Sequence, residues 1–98
     1  MPLHFGKWWG NICENGKWHE TEVDIIEYNE SSVIIGECKY KSKKIGKSIL
    51  DDLKTKSLFI PIGNRKIYYL LAGKSGFTDD ILSLKDDNLL LIESCELL

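Results

Sequence analysis

Glu22-Val23-Asp24-Ile25-Ile26-Glu27-Tyr28-Asn29-Glu30-Ser31-Ser32-Val33-Ile34-Ile35-Gly36-Glu37-Cys38-Lys39 reads as two apolar runs on either side of a polar turn. That pattern predicts a β-hairpin. Ionisable residues interrupt the predicted strands at Asp24, Glu37 and Lys39, with Glu22 close by. If the turn is centred between Glu30 and Ser31, Asp24 falls opposite Glu37 and Glu22 opposite Lys39. Side chains alternate with period two along a strand, so all four would project from one face. Facing carboxylates repel across a ladder. A divalent cation, which takes carboxylate oxygens, would reverse the sign. A one-residue bulge would undo this register.

The segments upstream of the hairpin extend the sheet. Asn15-Gly16 is a two-residue turn signal, because a primed turn needs positive φ at both central positions. Lys7–Cys13 and Lys17–Tyr28 are therefore expected to pair, with Trp18 near Trp8 or Trp9 across the ladder. Val33–Tyr40 is the third strand, and Gly36 within it marks a bulge or a close backbone approach. Downstream, Lys41–Gly46 reads as a loop. Ser48 is placed to cap a helix, with Asp51 three positions on. Ile49, Leu50, Leu53, Ser57 and Ile60 give that helix, from about Ile49 to Ile60, one buried stripe, and Pro61 stops it. Lys66–Ala72 is nearly continuously apolar and is expected to be a central strand buried on both faces. Thr78 caps a second helix with Asp79 and Asp80 in its first turn, where the helix dipole favours them. Leu89–Ile92 is the last strand. The order β-β-β-α-β-α-β predicts an α/β (α+β) protein with a mixed sheet and helices packed on it.

Bulk properties narrow the partners. The 98 residues suit one small domain, 1–98, and 43% are hydrophobic. A net charge of −2 gives no nucleic-acid signature for the whole chain. Its distribution matters more: Lys39, Lys41, Lys43, Lys44 and Lys47 fall within nine residues, a basic segment that reads as a solvated loop or, alternatively, as a source of phosphate contacts. Cys13, Cys38 and Cys95 form no CxxC pair, which argues against structural zinc and for reduced thiols, with Cys38 a small buried hydrophobe. His4 and His19 are isolated and read as surface or capping residues. The tryptophans read as packing residues, with base stacking as the alternative. The N-terminus lacks a signal-peptide pattern, and no run reaches the roughly 20 apolar residues that span a bilayer. A cytoplasmic protein with no membrane partner is expected.

Asp24, then Glu37-x-Lys39, on consecutive strands followed by a helix and a strand resembles the PD-(D/E)xK (restriction-endonuclease-like) superfamily. Gly6-Lys7-Trp8-Trp9-Gly10, Glu22-Val23-Asp24-Ile25-Ile26, Ile35-Gly36-Glu37-Cys38-Lys39, Tyr68-Tyr69 and Lys74-Ser75-Gly76-Phe77-Thr78 resemble, in that order, the C-terminal domain of unknown function of archaeal and bacterial AAA+-type ATPases. The resemblance implies metal-dependent phosphodiester hydrolysis or DNA binding. Asp24 and Glu37 would hold Mg²⁺ or Mn²⁺ together with the Cys38 carbonyl. Lys39 would be the catalytic lysine, Glu22 an auxiliary acid, and Lys54 or Lys47 a secondary polar group. Lys41, Lys43, Lys44 and Lys47 would meet phosphates. The superfamily's usual first helix is missing, and there is no GxxxxGK[ST] phosphate loop, so a C-terminal piece of a longer ATPase, or an orphaned domain, is expected. The alternative is a non-catalytic module that docks an ATPase or forms a homodimer through its aromatic N-terminal hairpin.

Overall fold

The computed structural model describes residues 6–39 and 43–93. Strands β1 (Gly6–Glu14) and β2 (Lys17–Tyr28) form the first hairpin. Its turn has Asn15 at φ 52° and Gly16 at φ 76°, the positive values a two-residue primed turn requires. From Glu14 opposite Lys17 the ladder runs without interruption to Gly6 opposite Ile25. This register corrects the tryptophan pairing. Trp18 is one step from the turn and faces Cys13, while Trp8 and Trp9 sit at the far end opposite Val23 and Glu22. Trp18 instead meets Phe59 edge-to-face, with ring centroids 6.2 Å apart.

After β2 come β3 (Ser32–Lys39), helix α1 (Lys47–Ser57), β4 (Lys66–Gly73), helix α2 (Asp79–Leu82) and β5 (Leu89–Ile92). The strands form one sheet in the order β1-β2-β3-β4-β5. β2 and β3 are antiparallel, whereas β3–β4 and β4–β5 are parallel. Each parallel step needs a crossover, and α1 and α2 supply them. The sheet is mixed and the class is α+β, as the order of elements predicts.

The start of α1 differs from expectation. Its N-cap is Gly46, not Ser48, and no side chain of its own caps it. The segment before it is held by the loop after β4: Ile45 N–H donates to Gly76 O at 3.0 Å, and Thr78 N–H to Ile45 O at 3.0 Å. That docking brings Asp80 to the helix end, where its carboxylate accepts from Lys47 N–H at 3.4 Å. A distant acid thus fills a role that sequence reading gives to a local serine. The Thr78 hydroxyl, which donates to Asp80, is the main reason the Asp80 carboxyl is held below its ordinary range. Leu50, Leu53 and Ser57 form the buried stripe of α1, and Ile60 continues it past the helix end.

Both helices lie on one face of the sheet, called here the helical face. Val23, Val33, Ile35 and Leu71 pack there with Leu50 and Leu53 of α1 and Ile81 of α2. A smaller apolar layer on the opposite face contains Ile26, Leu70 and Ala72, with Ile34, Cys38 and Ile92 against it. β4 therefore contributes to both layers, as its unbroken apolar run predicts. Among the described residues Ser57 is the buried polar side chain of the core, and its hydroxyl satisfies itself by donating to Lys54 O at 2.6 Å and bonding Tyr69 Oη at 2.9 Å. Cys38 is disulfide-bonded rather than a reduced thiol, because sequence spacing does not report which sulfurs approach in space. Cys13 is free; Cys95 and His4 lie outside the described residues. Among the described residues no helix is long and apolar enough to cross a membrane.

Candidate functional site

The β2–β3 ladder begins as the sequence predicts and then departs from it. Tyr28 faces Val33 and Glu27 faces Ile34, but a bulge at Ile26 follows, so that Ile25 faces Ile35 and Asp24 faces Gly36. Asp24 is therefore not opposite Glu37, and the expectation that Glu22, Asp24, Glu37 and Lys39 share a face is corrected. Partners across a ladder project to the same side. Asp24 and Glu22 lie on the opposite face with Gly36. Glu37 and Lys39 lie on the helical face with Val33 and Ile35.

Hydrophobic burial decides the register. Val23 is 2% exposed and packs in the helical-face core, with Ile25 and Trp8 against it. A ladder without the bulge would turn Val23 and Ile25 away from the helices and drive Glu22 and Asp24 against them. A one-residue shift reverses every side chain, and burying two carboxylates costs more than one bulge. The bulge also lets Ile26 reach the opposite face, where it covers Gly36. A Cβ on Gly36 would lie 2.7 Å from Ile26 Cδ1 and 3.3 Å from Leu70 O. Gly36 thus marks a close approach, and the bulge is on the neighbouring strand.

The charges sort into two groups. On the opposite face Lys7 lies across from Asp24, and its Nζ is 3.4 Å from Glu22 Oε1. Glu22 Oε2 is buried and, among the described residues, has no hydrogen-bond partner. On the helical face Lys39 Nζ is 3.3 Å from Glu37 Oε1. The expected Glu22–Lys39 pair is replaced by these two. Lys7 is not among the expected site residues, yet the Asn15-Gly16 turn carries the signal for it: counting outward from that turn brings Lys7 opposite Asp24. The β2–β3 pairing ends at Asp24–Gly36, while β3 stays bonded to β4 as far as Lys39 opposite Gly73. The strands part beside the charged residues.

Burial raises the Asp24 carboxyl above its ordinary value. Lys7 opposes the shift, and the charges of Glu37 and Glu22 add to it. Folded Asp24 therefore binds its proton more tightly than the unfolded chain does. The contribution of Asp24 to stability is greatest below the ordinary value of 3.8 and is lost as pH rises through the folded value. Asp24→Asn is expected to melt higher than the wild type at pH 7 and to lose that advantage as the pH approaches the ordinary aspartate range. Melting curves taken across this range check it; a variant that melts lower at pH 7 would show that the Lys7 contact outweighs burial.

A cavity of about 270 Å³ opens beside Lys39, lined also by Lys43, Lys44, Gly46 and Ser48. Two of the expected phosphate-binding lysines, Lys43 and Lys44, thus meet the expected catalytic Lys39 at the first turn of α1. Lys47 is not part of the lining, and Lys41 lies outside the described residues. Lys54 is engaged elsewhere, 3.8 Å from Asp86 and over the Tyr69 ring. Among the described residues no three His, Cys, Asp or Glu side chains converge as a metal-holding group. With Asp24 and Glu37 on opposite faces, Asp24, Glu37 and the Cys38 carbonyl do not fit a shared divalent cation in this register.

Fold and strand order define an α+β protein on a five-stranded mixed sheet, with Lys39, Lys43 and Lys44 gathered at the end of β3. Residues 2–49, just under half of the chain, match the model of a family described as "Archaea bacterial proteins of unknown function". The match spans β1, β2, β3 and the start of α1. No curated protein and no solved structure gives a significant match.

Proposed function

We propose that the chain is a nuclease-like domain that binds the phosphodiester backbone of DNA at the Glu37–Lys39 end of β3. The cavity that gathers Lys39, Lys43 and Lys44 is the observation that carries this reading. Glu37 neutralises part of Lys39, and Lys43 and Lys44 supply the remaining charge. Strand order and the Asp24…Glu37-x-Lys39 pattern support the nuclease likeness. The superfamily's Mg²⁺ or Mn²⁺ would supply Lewis-acid chemistry at Asp24 and Glu37. Because those carboxylates do not fit one ion in this register, no hydrolytic step is derived, and the reading rests on binding.

Fluorescence anisotropy with a labelled duplex tests it. The wild type should bind at about 50 mM salt and weaken steeply by about 200 mM. The double variant Lys43→Ala/Lys44→Ala should lower the slope of log affinity against log salt by about two, one for each lost phosphate contact. Undiminished binding by that variant, or no binding by the wild type at low salt, would sink the proposal. Nicking of plasmid DNA with Mn²⁺ that disappears in both Asp24→Ala and Glu37→Ala would instead restore the shared metal site.

A second reading, a module that docks an ATPase or a second copy, is supported by exposed aromatics on the first hairpin. Trp9 is 63% and Trp18 69% exposed, and within the described sheet β1 is an edge strand. Light scattering decides it for a second copy: a dimer that Trp9→Ser dissociates supports the reading.

A further inference from the structure

On the helical face, toward the turn end of β2 and β3, a second cavity of about 180 Å³ has Trp8, Ile25, Tyr28, Val33, Ile62 and Arg65 among its walls. Val33 is four residues from Glu37 along β3, roughly 13 Å at the usual strand rise, so this cavity is separate from the lysine cavity. Arg65 is the one charged residue in its lining. The guanidinium is fixed from two sides: Nε donates to Asn29 O at 2.6 Å and Nη1 to Ile62 O at 3.1 Å. It also lies over the Tyr28 ring, 5.7 Å from its centroid. Among the described residues no carboxylate is within ion-pair distance of it.

We infer that this cavity binds a small molecule that combines one aromatic ring with a carboxylate. A guanidinium carries five N–H donors in a rigid fork, and two go to carbonyls here. The rest, with a full positive charge that no acid among the described residues answers, match a planar carboxylate. The remaining walls are apolar or aromatic, and a cavity of about 150 Å³ with such walls is known to hold a single benzene ring. Charge complementarity thus sets the head of the ligand, and volume sets its body. A DNA duplex is far too large for the cavity, so the inference stands apart from the DNA reading.

Phenylacetate is the probe, with benzyl alcohol carrying the ring alone and acetate the carboxylate alone. In a titration followed by amide chemical shifts, phenylacetate should move Tyr28, Val33 and Arg65 saturably. Both controls should bind at least about tenfold more weakly. Arg65→Gln should lose the preference for phenylacetate over benzyl alcohol. Because Arg65 also ties two loops together, Ile62→Trp provides a second variant that fills the cavity and keeps the arginine; it should abolish the saturable shifts while the amide spectrum stays folded. Benzyl alcohol binding as tightly as phenylacetate, shifts centred on Lys43 and Lys44, or saturation unchanged in Ile62→Trp would each overturn the inference.

Discussion

Leu71→Ala is expected to destabilise the fold by about 2–5 kcal/mol, the usual range for truncating a large buried aliphatic side chain. Leu71 is fully buried in β4, where the helical-face core holds it among Ile35, Leu50 and Leu53. β4 is paired on both edges, by β3 and β5, so the backbone around a new cavity has little freedom to collapse. A domain of this size has about 5–15 kcal/mol in total, and each kcal/mol moves its melting temperature by about 4–8 °C. The variant should therefore melt at least about 8 °C below the wild type. A loss under about 1 kcal/mol in urea would mean that Leu71 is not at the centre of the core.

Gly36→Val is expected to cost about 1–3 kcal/mol, the range for overpacking a well-filled site. Its Cβ would meet Ile26 Cδ1 at 2.7 Å and the Leu70 carbonyl at 3.3 Å. The first contact can yield, because it is the tip of a flexible side chain; the second is backbone in a parallel ladder and cannot. Ile26→Ala in the same chain should therefore recover part of the loss. A double-mutant cycle measures that coupling, expected in the range of about 0.5–3 kcal/mol for touching residues. Coupling near zero would mean that the bulge does not set Ile26 over Gly36.

How much of this was legible in the sequence depends on the range of the interaction. The Asn15-Gly16 turn, the stripe of α1, the double-sided burial of β4 and the order of elements follow from local chemistry, and the structure has them. The register of Asp24 does not. Ile25-Ile26 offers a hydrophobe to each face, so the hairpin pattern alone allows two ladders. Val23, through its burial with Trp8 and α1, selects the bulged one, and that choice needs tertiary context. The same holds for Asp80, which caps a helix that begins 33 positions earlier. For the candidate site, the sequence pointed to the lysines that line the cavity. It did not reveal that the two carboxylates are divided between faces, or that Lys7 stands among them.

The contact of Ile45, Thr78 and Asp80 with the start of α1 has a consequence for biosynthesis. A ribosome delivers Lys43, Lys44 and Gly46 well before Gly76, Thr78 and Asp80. Until those later residues emerge, the loop has no carbonyl from Gly76 to hold and the first amide of α1 has no acid to accept it. The lysine cavity is therefore a late product of translation, assembled from the far side of β4. A chain truncated after β4 would carry every lysine of the proposed DNA surface and still lack the part that holds them in place.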